Sequence, residues 1–237
     1  MKEIFLSVVI PAFNEERLLP GTLNSILGYL KKQKYSWEVI VSNDGSKDHT
    51  KELVLEFQKS FPELYLIDNL TNRGKGYAVK SGVLQAKGEL VLFMDADNST
   101  KISEIEKAIP LSNRGADIVI GSRRLKDSLI TRGQPAHRRL LGEFFRIFVK
   151  ILFGLKYDDT QAGFKLFNRK ARRTFELQIL SGFSFDVELL FLAKKLGLKV
   201  SEIPIQWEND SNSHVSLKKM IQAIFDLIKL RFRSYNI

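Results

Sequence analysis

Cysteine is absent from this chain of 237 residues, which excludes disulfide bonds and thiolate metal sites and leaves the redox compartment undetermined. Long apolar runs are absent as well. No stretch approaches the roughly 18 consecutive apolar residues that a membrane-spanning helix needs, so we predict no transmembrane span. The first apolar stretch, residues 4–10, is too short for a signal peptide with its cleavage site and leads directly into a proline. We therefore interpret it as the first strand of a globular domain.

Two common nucleotide-binding fingerprints are also missing. Neither the P-loop pattern Gly-x-x-x-x-Gly-Lys-[Ser/Thr] nor the dinucleotide pattern Gly-x-Gly-x-x-Gly occurs. A nucleotidyltransferase would carry a glycine-rich loop after the first strand. This chain has "PAFNEE" (residues 11–16) there, which contains no glycine and argues against that class of enzyme. The net charge of +10 attracts anions such as nucleic acid, anionic lipid or phosphorylated substrates. Because the basic residues are spread along the chain and no RNP-type or helix-turn-helix motif is evident, we expect no nucleic-acid partner. A basic RNA-binding module is the non-enzyme alternative.

Short apolar runs alternate with longer amphipathic runs in the first half of the chain. This alternation predicts an α/β fold with a Rossmann-like, mostly parallel sheet and helices on both faces. The predicted strands are residues 5–10, 37–42, 64–68, 89–94 and 116–121, and the predicted helices are residues 16–32, 49–60, 76–87 and 102–112. Since the pattern changes near residue 122, we divide one continuous domain into residues 1–121 and residues 122–237.

The second half begins with a polar, basic and turn-prone stretch, residues 123–139. The patterns that follow predict strands at residues 163–167 and 199–208 and helices at residues 169–176 and 186–197. Two further segments, residues 140–153 and 216–233, combine large apolar side chains with basic ones. Two interpretations stay open for them: they lie in a bilayer interface, or they pack into the core or a dimer contact.

The stretch "LVLFMDADNST" (residues 90–100) places two like charges, Asp95 and Asp97, at the end of a buried strand. In open parallel α/β sheets, ligands lie beyond the carboxyl ends of the strands. Two carboxylates at that position suit a hard divalent cation, Mg²⁺ or Mn²⁺, that also holds a diphosphate. The alternative is that both residues are turn residues or helix caps.

Polar loops follow neighbouring strands as well. "PAFNEE" follows the first strand, and "NDGSKDHT" (residues 43–50), which contains Asp44, follows the second. "NRGKG" (residues 72–76) precedes a helix, and its two glycines with Arg73 and Lys75 suit a phosphate near a helix N-terminus. Any one of these loops is equally well explained as a turn with solvated charges. Three polar loops lie at strand ends: "PAFNEE", "NDGSKDHT" and the turn that contains Asp95. Together they predict a nucleotide-diphosphate cleft.

Taken together, these motifs resemble the inverting glycosyltransferases of family 2, which have a GT-A fold. The resemblance rests on "SVVIPAFNEE", "EVIVSNDGSKDHT", "NRGKGYAVKSG", "GELVLFMDADNST" and "DIVIGSRR". The later stretches "DDTQAGFKLFNRKA" and "FSFDVELLFLAKKLGLKVSEIPIQW" are similar to the dolichyl-phosphate β-glucosyltransferases, which move glucose from UDP-glucose to a polyprenyl phosphate. The alternatives are the mannose synthases that use GDP-mannose, and family 2 transferases that act on another lipid or glycan acceptor. Asn43 stands where the family often has the first of two consecutive acids.

The resemblance implies roles for the residues that match the family's motifs. The base and ribose would be bound by Pro11, Ala12, Asn14, Glu15 and Asp44, with Arg73 and Lys75 near the nucleotide. Asp95 and Asp97 would be the metal-binding pair, Arg123 and Arg138 would hold the acceptor phosphate, and Asp159 and Gln161 would lie in the loop that closes the sugar site. The candidate catalytic residues are therefore Asp97, Asp159, Arg123 and Arg138.

A polyprenyl phosphate acceptor simplifies the expected chemistry. A phosphate monoester is already ionised near neutral pH because its second pKa is about 6, so the acceptor needs no strong general base. We predict a direct displacement with inversion, in which Asp159 orients the sugar. Because such an acceptor must be collected from a membrane, we expect residues 122–237 to bind the acceptor and the membrane surface. The protein is then a hexosyltransferase associated peripherally with the cytoplasmic face of a membrane.

Overall fold

The computed structural model describes residues 3–132, 136–208 and 217–235, and all of their side chains except those of residues 132, 136–139 and 217–220. The strands are β1 (Leu6–Ala12), β2 (Trp37–Asp44), β3 (Leu64–Asn69), β4 (Leu90–Met94), β5 (Ile118–Ser122), β6 (Leu129–Arg132), β7 (Phe164–Phe167), β8 (Val200–Pro204) and β9 (Gln206–Glu208). The helices are α1 (Leu19–Leu30), α2 (Thr50–Ser60), α3 (Lys75–Gln85), α4 (Ile105–Asn113), α5 (Ala136–Phe153), α6 (Arg173–Leu177), α7 (Phe185–Lys195) and α8 (Leu217–Arg231). Short 3₁₀ turns at Ile102–Glu104 and Lys170–Arg172 lead into α4 and α6.

Seven of the described strands form one sheet in the order β3-β2-β1-β4-β7-β5-β8. The pairs β1–β2, β1–β4, β2–β3 and β5–β8 are parallel, whereas β7 runs antiparallel to both β4 and β5. Thus β7 and β8, which come from the second half of the chain, complete the sheet that the first half begins. The predicted mostly parallel α/β sheet is confirmed.

Alternating side chains of the sheet enter two separate apolar layers, because successive residues of a strand point to opposite faces. Val8 of β1 lies in the layer under α1, α2 and α4, and Val9 lies in the layer under α3 and α5–α8. Helix α1 buries Leu19, Leu23 and Ile26 along one face, as expected for an amphipathic helix on a sheet. Burial on both faces explains why β4 is continuously apolar and why β1 is apolar except for Ser7.

The sequence pattern missed one strand and merged two others. Strand β6 lies in the stretch predicted to be polar and turn-prone, because a run of four residues gives little periodicity and its partner, β9, is remote in sequence. The predicted strand 199–208 is split at Ile205, so that β8 joins the large sheet and β9 pairs with β6. Buried Ile205 marks this change of partner, because its carbonyl accepts the Leu129 N–H at 3.1 Å.

Candidate active site

The strand order reverses at β1, which has β2 on one side and β4 on the other. Because these strands are parallel, their carboxyl ends meet at one edge of the sheet. A crevice at such a reversal is where open α/β sheets bind ligands. The structure therefore brings the ends of β1 and β2 and the Asp95–Asp97 turn to one place, as the polar loops predicted.

Hydrogen bonds join the loop after β1 to the loop after β2. Asn14 adopts a left-handed conformation (φ 56°), which asparagine tolerates, and its N–H donates to Ser46 Oγ at 2.9 Å. The Lys47 N–H donates to Asn14 Oδ1 at 2.8 Å, and the Glu15 N–H donates to Thr50 Oγ1 at 2.8 Å. Pro11 and Ala12 are buried at the end of β1 just before this loop. The two loops form one braced rim of the crevice.

Asp44, the last residue of β2, holds the glycine loop in place. Its carboxylate accepts the N–H groups of Arg73 at 3.0 Å and of Gly74 at 2.7 Å. Burial raises the pKa of Asp44, although these two hydrogen bonds oppose the shift. Gly74 has a φ of 105°, and a Cβ there would meet a backbone oxygen at 2.4 Å, so the position requires glycine. The Arg73 guanidinium lies over the Tyr77 ring, 3.8 Å from its centroid.

The two carboxylates that follow β4 are held differently. The Asp95 N–H donates to Gly163 O at 3.1 Å, and its carboxylate forms an ion pair of 2.7 Å with Lys75 Nζ, at the start of α3. The strand ends at Met94, and the chain turns at residues 96 and 97. Asp97 Oδ1 accepts the Ser99 N–H at 2.9 Å, which is the turn geometry named as the alternative. Burial, followed by the charge of Asp95, raises the pKa of Asp97.

The chemistry of this pair fits a divalent cation. Carboxylate oxygens are the hard ligands that Mg²⁺ and Mn²⁺ prefer. In the described part of the chain, no group of three His, Cys, Asp or Glu residues that could hold a metal ion is found. A cation held by two carboxylates would take its remaining oxygen ligands from a diphosphate and water. Such a cation would also relieve the repulsion from Asp95, which acts with burial to raise the pKa of Asp97.

Arg123 and Asp159, predicted separately, form one buried ion pair beside β5. Arg123 Nε and Nη2 donate to the two Asp159 oxygens at 2.6 and 2.8 Å, and the Arg123 backbone N–H adds a third hydrogen bond at 3.1 Å. Burial alone would raise the pKa of Asp159, but the charge of Arg123 and its hydrogen bonds lower it. Gly163, in the same loop, packs against the Asp95 carboxylate so closely that a Cβ there would overlap it. Gln161 is exposed in this loop.

Arg138 lies in the first turns of α5, and its side chain is outside the described residues. Of the predicted site residues with described side chains, Asp44, Lys75 and Asp95 are joined through the glycine loop, and Arg123 and Asp159 are joined to each other.

Sequence reasoning missed a buried charge pair below the crevice. Lys165 of β7 is fully buried, donates to Ala162 O at 2.6 Å and forms an ion pair with Asp186 in the first turn of α7. Burial raises the pKa of Asp186, although Lys165 and Lys75 oppose the shift. The ammonium groups of Lys75 and Lys165 lie 5.6 and 5.7 Å from the centroid of the Phe93 ring. The available signal was a single charge inside the apolar stretch "FKLF", since buried charges are almost always paired.

Helices α5 and α8 present a broad apolar surface away from the sheet. One face of each helix is buried, through Phe145 and Val149 of α5 and Leu227 and Leu230 of α8. The opposite faces expose Leu140, Leu141, Phe144, Ile147, Ile151, Ile221, Phe225 and Ile228, and Phe232 is exposed directly after α8. Both helices thus pack internally on one side and leave an apolar face on the other. Within the described ranges, no helix is both long enough and apolar enough to cross a bilayer.

Comparisons with known proteins agree with the motifs and the fold. The sequence model of the family described as "Glycosyl transferase family 2" matches residues 7–175. A dolichyl-phosphate beta-glucosyltransferase of Trichomonas vaginalis is 39% identical over 242 residues, covering 96% of this chain and 73% of that protein. The human dolichyl-phosphate beta-glucosyltransferase is 35% identical over 246 residues, covering 96% and 75%.

Solved structures share the fold at low sequence identity. Glucosyl-3-phosphoglycerate synthase from Mycobacterium tuberculosis, in complex with Mn²⁺, UDP-glucose and phosphoglyceric acid, matches with a TM-score of 0.69 and 19% identity, covering 96% of this chain and 78% of that one. Mannosyl-3-phosphoglycerate synthase from Rubrobacter xylanophilus matches with a TM-score of 0.69 and 18% identity, covering 96% and 72%. The arrangement of strands and helices is therefore one that known sugar-transferring enzymes also have.

Proposed function

The chain belongs to glycosyl transferase family 2, and we propose that it is a hexosyltransferase that moves glucose from UDP-glucose to dolichyl or another polyprenyl phosphate. The family that the sequence motifs predicted is thereby confirmed. The observation that carries the proposal is the carboxylate pair Asp95–Asp97 at the strand reversal. It is supported by relatives that match 96% of this chain and are named dolichyl-phosphate beta-glucosyltransferase. UDP-glucose as donor and the need for a metal are the finer parts of the proposal.

The donor would lie along the rim formed by the loops after β1 and β2. Pro11, Ala12, Asn14 and Glu15 form the side of this rim on which the base and ribose would rest. Asp44 contributes by holding the glycine loop through the Arg73 and Gly74 N–H groups, and each of its oxygens has a second lone pair for the base edge. Lys75 and Arg73 supply positive charge on the diphosphate side.

Asp95 and Asp97 would hold Mg²⁺ or Mn²⁺ against the diphosphate, where the cation neutralises the charge that develops on the departing UDP. Lys75 already balances Asp95 at 2.7 Å, so its ammonium lies beside the position of the diphosphate. The Lys75 ammonium on α3, and a cation held by the two carboxylates after β4, would thus place positive charge on the leaving group.

Arg123 and Asp159 would align the acceptor. In the reaction, an oxygen of the acceptor phosphate forms a bond to the anomeric carbon while the bond from that carbon to the UDP oxygen breaks, which converts an α-linked donor into a β-linked product. No proton must be removed from the ionised phosphate, so the task is one of position. Asp159 fixes the plane of the Arg123 guanidinium through two hydrogen bonds, and we assign Arg123 and Arg138 to the acceptor phosphate. Gln161 and Asp159 would face the sugar.

The exposed apolar faces of α5 and α8 would rest on the membrane that holds the acceptor. Phe225 of α8 and Phe232, the residue after the helix, are 57% and 82% exposed, and the basic residues Lys229 and Arg233 lie between and beyond them in the sequence. Apolar side chains flanked by cations suit the headgroup region of an anionic bilayer. On α5, the Lys150 ammonium is paired with Asp158 at 2.9 Å. We therefore assign the attraction to anionic lipid headgroups to the basic residues of α8 and the residues that follow it. The protein would act on the cytoplasmic face; a homodimer through the same faces is the alternative.

One assay tests the proposal. Purified protein is incubated with a polyprenyl phosphate, Mg²⁺ or Mn²⁺, and either UDP-glucose or GDP-mannose, and the lipid product is quantified. Transfer from UDP-glucose that requires the cation is the expected result. Transfer only from GDP-mannose would replace the donor, and equal transfer in the presence of excess chelator would contradict the metal. Loss of product with Asp97→Asn, at unchanged thermal stability, separates the site from contaminating activity.

A further inference from the structure

A buried glutamate on α7 has no place in the proposed chemistry. Glu188 is fully buried in the first turn of α7. Its carboxylate accepts the backbone N–H groups of Ile179 at 2.9 Å and Leu180 at 2.8 Å, together with the Tyr235 hydroxyl at 2.6 Å. A buried carboxylate is costly unless its oxygens are satisfied, and here three donors satisfy them. Glu188 thus determines where the segment 178–182 lies.

That segment packs directly on the start of α3. Ser181 O accepts the Tyr77 N–H at 3.2 Å, and Gln178 Nε2 donates to Gly76 O at 2.9 Å. The backbone approach is so close that a Cβ on Gly74 would lie 2.4 Å from Ser181 O. A Cβ on Gly76 would lie 2.7 Å from Leu180 O. Two hydrogen bonds and two close backbone contacts therefore tie the glycine loop to segment 178–182.

The glycine loop carries two contacts of the proposed donor site. The Gly74 N–H donates to Asp44, and Lys75 Nζ forms the ion pair with Asp95. We infer that Glu188 is a positioning residue for nucleotide-sugar binding: it holds segment 178–182 against residues 74–77 and so sets Asp44 and Lys75 in place. The inference rests on the proposed function, since it requires the donor to bind at this loop.

Replacement by glutamine tests this with little change of shape. In Glu188→Gln an NH₂ group replaces one carboxylate oxygen. This NH₂ group faces a donor that the oxygen used to accept, so one of the three donors loses its hydrogen-bond partner. A matched control exists at the opposite edge of the sheet. Glu38 is also buried and accepts from Ser7 Oγ at 2.5 Å and from the Lys87 N–H at 2.6 Å, at the amino-terminal ends of β1 and β2. Both bonds go to the same oxygen, so the amide oxygen of Glu38→Gln can keep them, and this variant removes only a buried carboxylate charge far from the glycine loop.

The experiment measures UDP binding by calorimetry in the presence of Mn²⁺, the KM values for UDP-glucose and for polyprenyl phosphate, and Tm. Glu188→Gln is expected to raise the Kd for UDP and the KM for UDP-glucose about tenfold, with the KM for the acceptor unchanged. Glu38→Gln should leave the Kd for UDP and the KM for UDP-glucose unchanged. Tyr235→Phe removes only the outermost hydrogen bond and should raise the Kd for UDP by roughly threefold.

Three results would overturn the inference. The first is a Glu188→Gln protein that loses thermal stability but binds UDP like the wild type, and the second is an equal loss of UDP affinity in Glu38→Gln. If Glu188→Gln fails to fold, Tyr235→Phe decides, and an unchanged Kd for UDP then counts against Glu188. Failure of the proposed function looks different: the wild-type protein itself would bind neither UDP nor UDP-glucose.

Discussion

Removing the Arg123 guanidinium should leave an uncompensated charge inside the protein. Asp159 is only 4% exposed, and Arg123 gives it two side-chain hydrogen bonds, at 2.6 and 2.8 Å, and one backbone bond. Arg123→Met keeps much of the aliphatic stem and removes the charge. The Asp159 carboxylate then stays buried with only the backbone N–H of residue 123 and the more remote charge of Lys165 to stabilise it.

The size of the effect follows from the burial of the pair. Removing one partner of a buried ion pair costs about 3–5 kcal/mol of unfolding free energy. At about 2–4 °C per kcal/mol for a chain of this size, the Tm of Arg123→Met should fall by roughly 6–20 °C near pH 8. The double variant Arg123→Met/Asp159→Asn should lose less than the sum of the two single variants, because the unpaired carboxylate is gone, and the coupling energy should exceed about 1.5 kcal/mol.

The contribution of Asp159 to the unfolding free energy should depend on pH in opposite directions in the wild type and in Arg123→Met. In the wild type the folded-state pKa of Asp159 is lowered, so its contribution to stability is present above the unfolded value of about 3.9 and is lost as pH falls through the folded pKa. In Arg123→Met, burial without the guanidinium raises that pKa, so folding binds a proton. The penalty should then shrink as pH falls from 8 towards 5, by up to about 1.4 kcal/mol per pH unit within the shifted range.

Urea unfolding of both single variants and the double variant, at pH 8, 7, 6 and 5, measures these quantities. Arg124→Met is the matched control, since Arg124 is next in sequence and its partner Glu143 is 36% exposed and also paired with Arg146. Its cost should stay below about 1 kcal/mol at every pH. A coupling energy below about 0.5 kcal/mol, or parallel pH profiles for wild type and Arg123→Met, would refute the reasoning.

Three further changes test the rest of the site and the surface. Asp97→Asn keeps the shape of the side chain but removes a charge, so the affinity for Mn²⁺ in the presence of UDP, measured by calorimetry, should fall at least about tenfold; an unchanged affinity contradicts the metal assignment. Lys75→Met removes the ammonium 2.7 Å from Asp95, so Mn²⁺ should bind about tenfold more tightly without nucleotide while UDP binds more weakly, and a shift of both affinities in one direction argues against this arrangement. Phe225→Glu on α8 should reduce co-sedimentation with anionic vesicles, whereas Leu55→Glu, at an exposed leucine of α2, should not; equal binding by both variants rules out the α8 surface.

Much of the first half could be predicted from local patterns. The run that became β4 is apolar throughout, and β1 and β2 each have an apolar centre, Val8–Ile10 and Val39–Val41. The amphipathic stretches between them have the spacing of helices packed on a sheet. The carboxyl ends of parallel strands must share an edge, so the sequence also predicted that Asp44 and Asp95 lie near one another. Prediction was weaker where periodicity is short, and β6 was missed for that reason.

Charge pairing could not be predicted, because it depends on approach between distant segments. Lys165 and Asp186 are 21 residues apart and lie on different elements, β7 and α7. The antiparallel insertion of β7 between β4 and β5 brings Lys165 under the crevice, and nothing in "GFKLF" specifies its neighbours. Likewise, Asp97 was named as a metal ligand or a turn residue, and the structure places it in a turn whose geometry still leaves it beside Asp95.

The sequence by itself determined the layered α/β architecture, the family and the edge of the sheet that carries the polar loops, because burial periodicity and strand-end chemistry are local properties of the chain. Only the tertiary structure decided which polar and charged groups meet. Asp44 with Gly74, Arg123 with Asp159, and Glu188 with Tyr235 are separated by 30, 36 and 47 residues. Hydrogen bonds act over about 3 Å, and that distance is reached only after the sheet order and the loop paths are complete.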